Sequence, residues 1–327
     1  MMKRTLPTPL LVWGALALNV LVILQGAVVR ATGAGAGCGR HWPTCNGEVI
    51  PLAHGSEALI EFSHRLLSLS VLLLGVWLVR RAWRLRREKP GFLVWAAASF
   101  GFLIIEALLG AATVLLGLTG DTATLGRGLM VATHLVNSLL LIGSLAVTLV
   151  FSRDESPAWP LRPFRQGTLT TVLAVGLVGM LFLMFSGGVA AMGNTIFPSE
   201  SLRAGIAADF DPASHPLIRL RILHPLIAIS VGIYLFASLG IARWLKPVPQ
   251  AKRLSQFLFG VYLLQLLIGT TNLALLAPAL LQIVHLGVAV LAFALLAAVT
   301  VSSLGYPASS PRPVARPAAP AAVEETG

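Results

Sequence analysis

Eight long, predominantly apolar stretches most constrain the fold of this chain. Each is long enough to form a helix that crosses the hydrocarbon core of a bilayer, which needs about 20 apolar residues. The last two form one continuous stretch, which we divide at Pro278. Only 11% of the residues are charged and the mean hydropathy is +0.82, so the pattern predicts an all-α polytopic membrane protein with eight transmembrane helices. The predicted spans are residues 7–29, 59–79, 91–118, 128–151, 168–190, 220–242, 254–277 and 278–303.

The two ends of the chain lie outside this pattern. The first stretch follows MMKR and is too long for the core of a signal peptide, so we interpret it as a retained first helix. The last residues, 305–327, are rich in proline and alanine, a composition that predicts a disordered tail.

The net charge of +11 does not indicate a nucleic-acid-binding protein. Aromatic residues are not interleaved with the basic ones, and no nucleic-acid motif is present. Instead, most of the 24 lysines and arginines fall in alternate loops, with the densest cluster in RRAWRLRREK after the second stretch. Loops of this kind face the cytoplasm, so the distribution predicts cytoplasmic N- and C-termini in a chain embedded in the lipid bilayer.

The loop between the first two stretches holds both cysteines of the chain, Cys38 and Cys45. The predicted topology places this loop outside the cytoplasm, where disulfides form and persist. The short spacing and the flanking glycines allow a bridge, which would be either a structural staple or a redox-active pair. Zinc binding is less favoured, because a second pair of ligands is missing.

The sequence also contains an internal duplication. LQGAVVRATG in the first helix is similar to FSGGVAAMGN in the fifth, and EALLGAATV in the third is similar to QLLIGTTNL in the seventh. This predicts two four-helix bundles related by a pseudo-twofold axis along the membrane normal. The predicted domains are an N-terminal bundle (1–152), a cytoplasmic linker (153–166), a C-terminal bundle (167–304) and the tail (305–327).

Four histidines occur one per even-numbered helix, near the outer end of each. A single histidine on an apolar helix is usually a hydrogen-bonded core residue, but polar groups at equivalent places inside a bilayer tend to be functional. Two imidazoles that face each other across a bundle can supply both axial ligands of a haem iron. A proton relay is the main alternative. The four residues are His64, His134, His224 and His285.

Charged residues lie close to these histidines. Glu61 is three residues before His64 and shares its helix face, so it either orients the imidazole, acts on a substrate or is a solvated first-turn acid. Glu106, in the middle of the third helix, must face the bundle interior, and the sequence assigns it no role. Arginines at the outer helix ends either pair with haem propionates or extend towards lipid headgroups. They are Arg65, Arg127, Arg219 and Arg221.

Four motifs resemble the haem A synthases: TGAGAGCGRHWPTCNGEVIP, EFSHRLLS, ATHLVNS and IVHLGVAV. The resemblance covers the eight helices and leaves out the basic N-terminus and the tail. Members of that family are eight-helix membrane enzymes that oxidise the C8 methyl group of haem O to the formyl group of haem A. The resemblance therefore implies two successive hydroxylations of one methyl carbon, followed by loss of water.

The resemblance also implies roles for particular residues. His64 and His134 would bind the substrate haem, and Glu61 matches the essential acid beside it. The cysteine pair matches the loop pair of bacterial members, whereas a second pair found in some relatives between helices 5 and 6 is absent here. The C-terminal histidines, which would ligate a resident haem b, are His224 and His285.

The implied partners are haem O, a farnesyltransferase that produces it and cytochrome oxidase assembly proteins, and the implied location is the bacterial plasma membrane. Two other functions stay open on the residues alone. One is a bis-histidine haem b electron carrier, although cytochromes b of the bc type place two ligands on one helix, and here each helix has one. The other is a haem transporter without catalysis.

Overall fold

The computed structural model describes residues 7–51, 55–120 and 122–307. Within these ranges the regular structure is helical, apart from an isolated bridge between Cys45 and Glu48. Most of the predicted disordered tail lies outside the described residues, as does His54. The helices are α1 (Thr8–Ala31), α2 (Gly55–Arg84), α3 (Pro90–Leu115), α4 (Leu125–Ser152), α5 (Thr168–Ile196), α6 (Leu202–Phe210), α7 (Pro216–Arg219), α8 (Leu223–Leu245), α9 (Pro249–Ala274) and α10 (Ala279–Gly305).

The described residues contain eight helical segments long and apolar enough to cross a membrane. The sixth of them, Pro216–Leu245, combines α7 and α8, and the short α6 precedes it outside the spans. Each observed segment corresponds to one predicted span. The predicted fold class, an all-α polytopic membrane protein with eight transmembrane helices, is therefore confirmed.

Prolines mark several helix starts. Pro90 and Pro249 are the first residues of α3 and α9, where a missing backbone N–H costs no intrahelical hydrogen bond. Pro278 is the N-cap of α10, so the division predicted there is confirmed. Just before it, Leu276 and Ala277 both adopt positive φ, a left-handed conformation unusual for residues with a side chain. This tight reversal connects two neighbouring spans.

Helix α4 lies at the centre of the molecule. It contacts α1 and α3 of its own half and α5 and α10 of the other half. Every residue in the range 141–152 of α4 is buried, as expected for a helix that is apolar on all sides. The contacts form two circuits, α1–α2–α3–α4 and α5–α8–α9–α10, each closed by contact between its first and last helix. The pseudo-twofold relation between the two halves stays a prediction.

Small residues allow the central helices to approach closely. A Cβ added to Gly143 of α4 would lie 2.8 Å from the ring of Phe293 on α10. A Cβ on Gly188 of α5 would lie 2.9 Å from the Cα of Ala132 on α4. Within a membrane, helix association depends on packing of this kind because apolar burial supplies little drive.

Polar contacts connect the two halves at both ends of the spans. At one end, Arg30 of α1 donates to the carbonyl oxygen of Ala191 and the hydroxyl of Thr195 on α5, and to Gln282 on α10. At the other end, Lys246 after α8 donates to the side chain of Gln166 and to a backbone carbonyl of α10. Burial lowers the pKa of the Lys246 ammonium from its ordinary value.

Candidate functional site

Cys38 and Cys45 form a disulfide, as predicted. Both are fully buried, and a turn with backbone hydrogen bonds of 2.9 Å in both directions between Cys45 and Glu48 follows the enclosed loop. Asn46, in the left-handed region, donates its backbone N–H to the carbonyl oxygen of Cys38 at 3.1 Å. Because both sulfurs are in the disulfide, zinc ligation by this pair is excluded in this structure.

The disulfide loop rests directly on the start of α2. A Cβ added to Gly37 would overlap the backbone of Glu57 and Ala58, so only glycine permits this approach. Ala58 is fully buried beneath the two cysteines. The loop is therefore packed against the helix that carries His64 and does not form an independent segment.

Glu61 is the polar anchor between this loop and α2. Its Oε2 accepts from the backbone N–H of Cys38 at 2.9 Å, and its Oε1 forms an ion pair with Arg65. The Arg65 guanidinium in turn donates to the carbonyl oxygens of His41 at 2.8 Å and Thr44 at 2.6 Å. Glu61 is only 4% exposed, so the interpretation of this residue as a solvated first-turn acid is wrong.

The four membrane histidines share one structural device that the sequence reasoning missed. Each imidazole packs against a glycine of the preceding long helix, where an added Cβ would approach the ring to between 2.8 and 3.7 Å. The sequence contained a signal for this arrangement, because all four glycines lie within the repeated motifs. The pairs are His64 with Gly26, His134 with Gly110, His224 with Gly187 and His285 with Gly269.

The C-terminal histidines face each other across their bundle. The ring centroids of His224 and His285 are 6.3 Å apart, and the rings are nearly perpendicular at 85°. Two imidazoles bound on opposite sides of one metal, at about 2 Å from each nitrogen, have ring centroids roughly 6 Å apart. The Nδ1 atom of His285 is buried and lacks a hydrogen-bond partner. These residues fit the two axial positions of one haem iron.

Uncharged side chains surround this C-terminal pair. The hydroxyl of Ser186 on α5 lies 3.1 Å from Nδ1 of His224. The amide nitrogen of Gln265 on α9 lies 3.2 Å from Nε2 of His285. Both histidines therefore have a neutral polar neighbour on the helix that supplies their glycine.

The N-terminal histidines have a carboxylate beside them. Nδ1 of His134 lies 3.1 Å from Oε1 of Glu106 on α3, which confirms that Glu106 faces the bundle interior. Nδ1 of His64 is buried without a hydrogen-bond partner. In this half a carboxylate therefore lies beside one of the two histidines.

The arginines predicted at the outer helix ends differ in their surroundings. Arg65 is bound to Glu61 and the loop, and Arg221 donates to Asp209 at 2.9 Å and to Asn194 at 3.1 Å. Arg127 is 5% exposed, and its guanidinium donates to the carbonyl oxygen of Thr122 at 3.3 Å. Arg219, in contrast, is exposed. Contacts of the four arginines with propionates stay a prediction.

Fold and site define the class of this protein: an eight-span membrane protein with one pair of half-buried histidines in each half and a disulfide-closed loop packed on the helix that carries His64. The family model for COX15-CtaA, described as cytochrome oxidase assembly protein, matches residues 9–297. The chain belongs to this family.

Similar curated proteins carry two different names. Proteins from two strains of Thermus thermophilus, each named protoheme IX farnesyltransferase, are 45% identical over 278 residues, which is 84% of this chain and 45% of each relative. The chain thus spans less than half the length of these relatives. A heme A synthase of Lysinibacillus sphaericus is 50% identical over 113 residues, 32% of this chain and 35% of the relative. A heme A synthase of Bacillus licheniformis is 40% identical over 142 residues, 42% of this chain and 43% of the relative. The predicted relation to the haem A synthases is confirmed.

Proposed function

We propose that this chain is a membrane oxidoreductase that converts haem O to haem A by two successive hydroxylations of the C8 methyl group. The observation that carries the proposal is a difference between the two histidine pairs: the C-terminal pair has the ring separation expected for two ligands of one iron, whereas His134 of the N-terminal pair has the carboxylate of Glu106 beside it. Relatives named heme A synthase support the same reaction.

The proposal assigns a different task to each half. In residues 1–152, His64 and His134 bind the iron of the substrate haem, while the disulfide loop covers the site from the outer face. In residues 167–304, His224 and His285 hold a resident haem b. A haem held there would supply one-electron transfer.

Glu61 is the proposed catalytic carboxylate of the substrate site. It lies on the same face of α2 as His64, and burial makes its charge effective because few waters screen it. Arg65 and the Cys38 N–H hold the carboxylate in one orientation. In that position Glu61 takes a proton from the reacting group or stabilises positive charge at the reacting carbon.

The proposed setting is the bacterial plasma membrane, with cytoplasmic termini and the disulfide loop outside. The proposed source of the substrate is a farnesyltransferase that produces haem O. The Thermus relatives support this link: they carry the farnesyltransferase name, and more than half of their length lies outside the region similar to this chain. The family description supports a further relation to cytochrome oxidase assembly proteins.

Haem extraction from the purified full-length chain tests this function against an electron carrier or a haem transporter. The chain is produced in cells that make haem O but no other haem A synthase. Haem A or a hydroxylated haem O beside haem b is the expected result. Recovery of haem b alone, or of haem b with unmodified haem O, would contradict the proposed enzymatic function.

A further inference from the structure

Glu106 and Gln265 occupy equivalent positions of the internal repeat. Each begins its motif, EALLG in α3 and QLLIG in α9. Each therefore lies about one helical turn before the glycine on which the histidine of the next helix packs. The duplicated scaffold thus presents one side chain to His134 and the corresponding one to His285, and only the first is a carboxylate.

Two donors and one imidazole converge on the carboxylate of Glu106. The amide of Asn137 donates to Oε2 at 2.5 Å and the hydroxyl of Ser138 donates to Oε1, while Nδ1 of His134 lies 3.1 Å from Oε1, at ion-pair distance and without the geometry of a hydrogen bond. A carboxylate accepts hydrogen bonds and has none to donate when ionised, so it suits this set of neighbours. Asn137 also donates to the carbonyl oxygen of Phe102 at 3.0 Å, so the amide itself is held in place.

Gln265 presents a weaker partner to His285. Its amide nitrogen lies 3.2 Å from Nε2 of the imidazole, while its carbonyl oxygen is buried without a hydrogen-bond partner. A neutral amide polarises an imidazole less than a carboxylate does. The two halves therefore differ in the partner of the second histidine in each pair.

We infer that Glu106 is a positioning residue of the substrate site: it fixes the orientation of the His134 ring and strengthens this histidine as a ligand of the substrate iron. A carboxylate 3.1 Å from Nδ1 favours the tautomer that carries its proton on that nitrogen and raises the basicity of the imidazole as a ligand. A stronger donor favours the oxidised iron and lowers its reduction potential. The inference rests on the proposed function, which places the substrate haem between His64 and His134.

A purely structural role for Glu106, as a connection between α3 and α4, predicts different behaviour. In that case Glu106→Gln keeps most of the contacts to Asn137 and Ser138 and leaves the electronic properties of a bound haem unchanged. The reduction potential and the low-spin electron paramagnetic resonance signal of the N-terminal haem separate the two roles, because they report ligand strength rather than fold.

The experiment is a redox titration of the full-length, haem-loaded protein, monitored by optical and electron paramagnetic resonance spectra. His224→Ala identifies which signal belongs to the C-terminal haem. We expect Glu106→Gln to raise the reduction potential of the N-terminal haem by at least about 59 mV, which corresponds to a tenfold change in the one-electron equilibrium constant. The C-terminal signal stays in place, and Glu106→Asp restores part of the shift.

The reciprocal variant Gln265→Glu serves as the matched control and tests the inference even if Glu106→Gln fails to fold. It is expected to lower the potential of the C-terminal haem and to leave the N-terminal one in place. Unchanged potentials and spectra in the variants, with both haems present, would overturn the inference while leaving the proposed function intact. If the unmodified protein carries no N-terminal haem signal at all, the proposed ligand assignment falls, and this inference falls with it.

Discussion

The two halves of the membrane region place their histidines in the same way but surround them differently. In both, each imidazole packs on a glycine of the preceding long helix. In the C-terminal half the polar neighbours are Ser186 and Gln265, which are neutral. In the N-terminal half, Glu106 lies beside His134. The difference teaches that the repeated scaffold sets where an imidazole lies, whereas a few side chains set the charge around it.

The outer connections of the two halves show a second contrast. Three residues before His64, Glu61 binds the disulfide loop, and three residues before His224, Arg221 forms an ion pair with Asp209 of α6 at 2.8 Å. The outer connection of each half is therefore anchored close to its first histidine, by an acid on α2 in one half and by an arginine just before α8 in the other. In the N-terminal half this connection is the short disulfide loop, and in the C-terminal half it is the α6–α7 segment.

The largest expected effect concerns the C-terminal histidines. Replacing His224 or His285 by alanine removes one of two proposed axial ligands, so the low-spin haem b spectrum should be lost. His64→Ala is the matched control and should keep that spectrum, because its pair lies in the other half. An unchanged bis-histidine spectrum in both C-terminal variants would contradict the assignment and with it the division of tasks.

The second effect concerns Glu61. Glu61→Gln keeps the size of the side chain but removes its charge, so we expect turnover of haem O to fall on the order of a hundredfold. The C-terminal haem b spectrum should be retained. Glu57→Gln, an exposed acid one turn earlier on α2, is the control and should leave turnover in place. Near-normal haem A production by Glu61→Gln would show that this residue only anchors the loop.

The smallest expected effect concerns the glycines under the histidines. An added Cβ would lie 2.9 Å from the His224 ring at Gly187 and 2.8 Å from the His285 ring at Gly269, but 3.7 Å from the His134 ring at Gly110. Overpacking of this kind costs about 1–3 kcal/mol.

Gly187→Ala and Gly269→Ala should therefore weaken retention of the C-terminal haem, measured as haem content after detergent purification. Gly110→Ala makes only an ordinary contact and should retain haem at the level of the unmodified protein. Equal losses at all three positions would mean that the close approach does not matter and that the glycines serve helix packing alone.

Much of the fold could be predicted because membrane insertion is a local constraint. Apolar stretches of sufficient length specify spans without knowledge of their neighbours, and a proline such as Pro278 ends or begins a helix through its own backbone. The disulfide was equally accessible, because its two cysteines are close in sequence and therefore close in space whatever the rest of the chain does.

The sequence by itself determined the eight spans, the disulfide loop and the four histidines at related positions, because each depends on composition or on short spacings along one segment. Only the tertiary structure decided which side chains meet across helices: Glu106 with His134, Gln265 with His285, and Arg30 with α5 and α10 of the other half. Helical periodicity places a residue on a face of its own helix, but the rotation and approach of the neighbouring helix come from packing. The burial of Glu61 has the same origin, because it depends on how the disulfide loop folds back over α2.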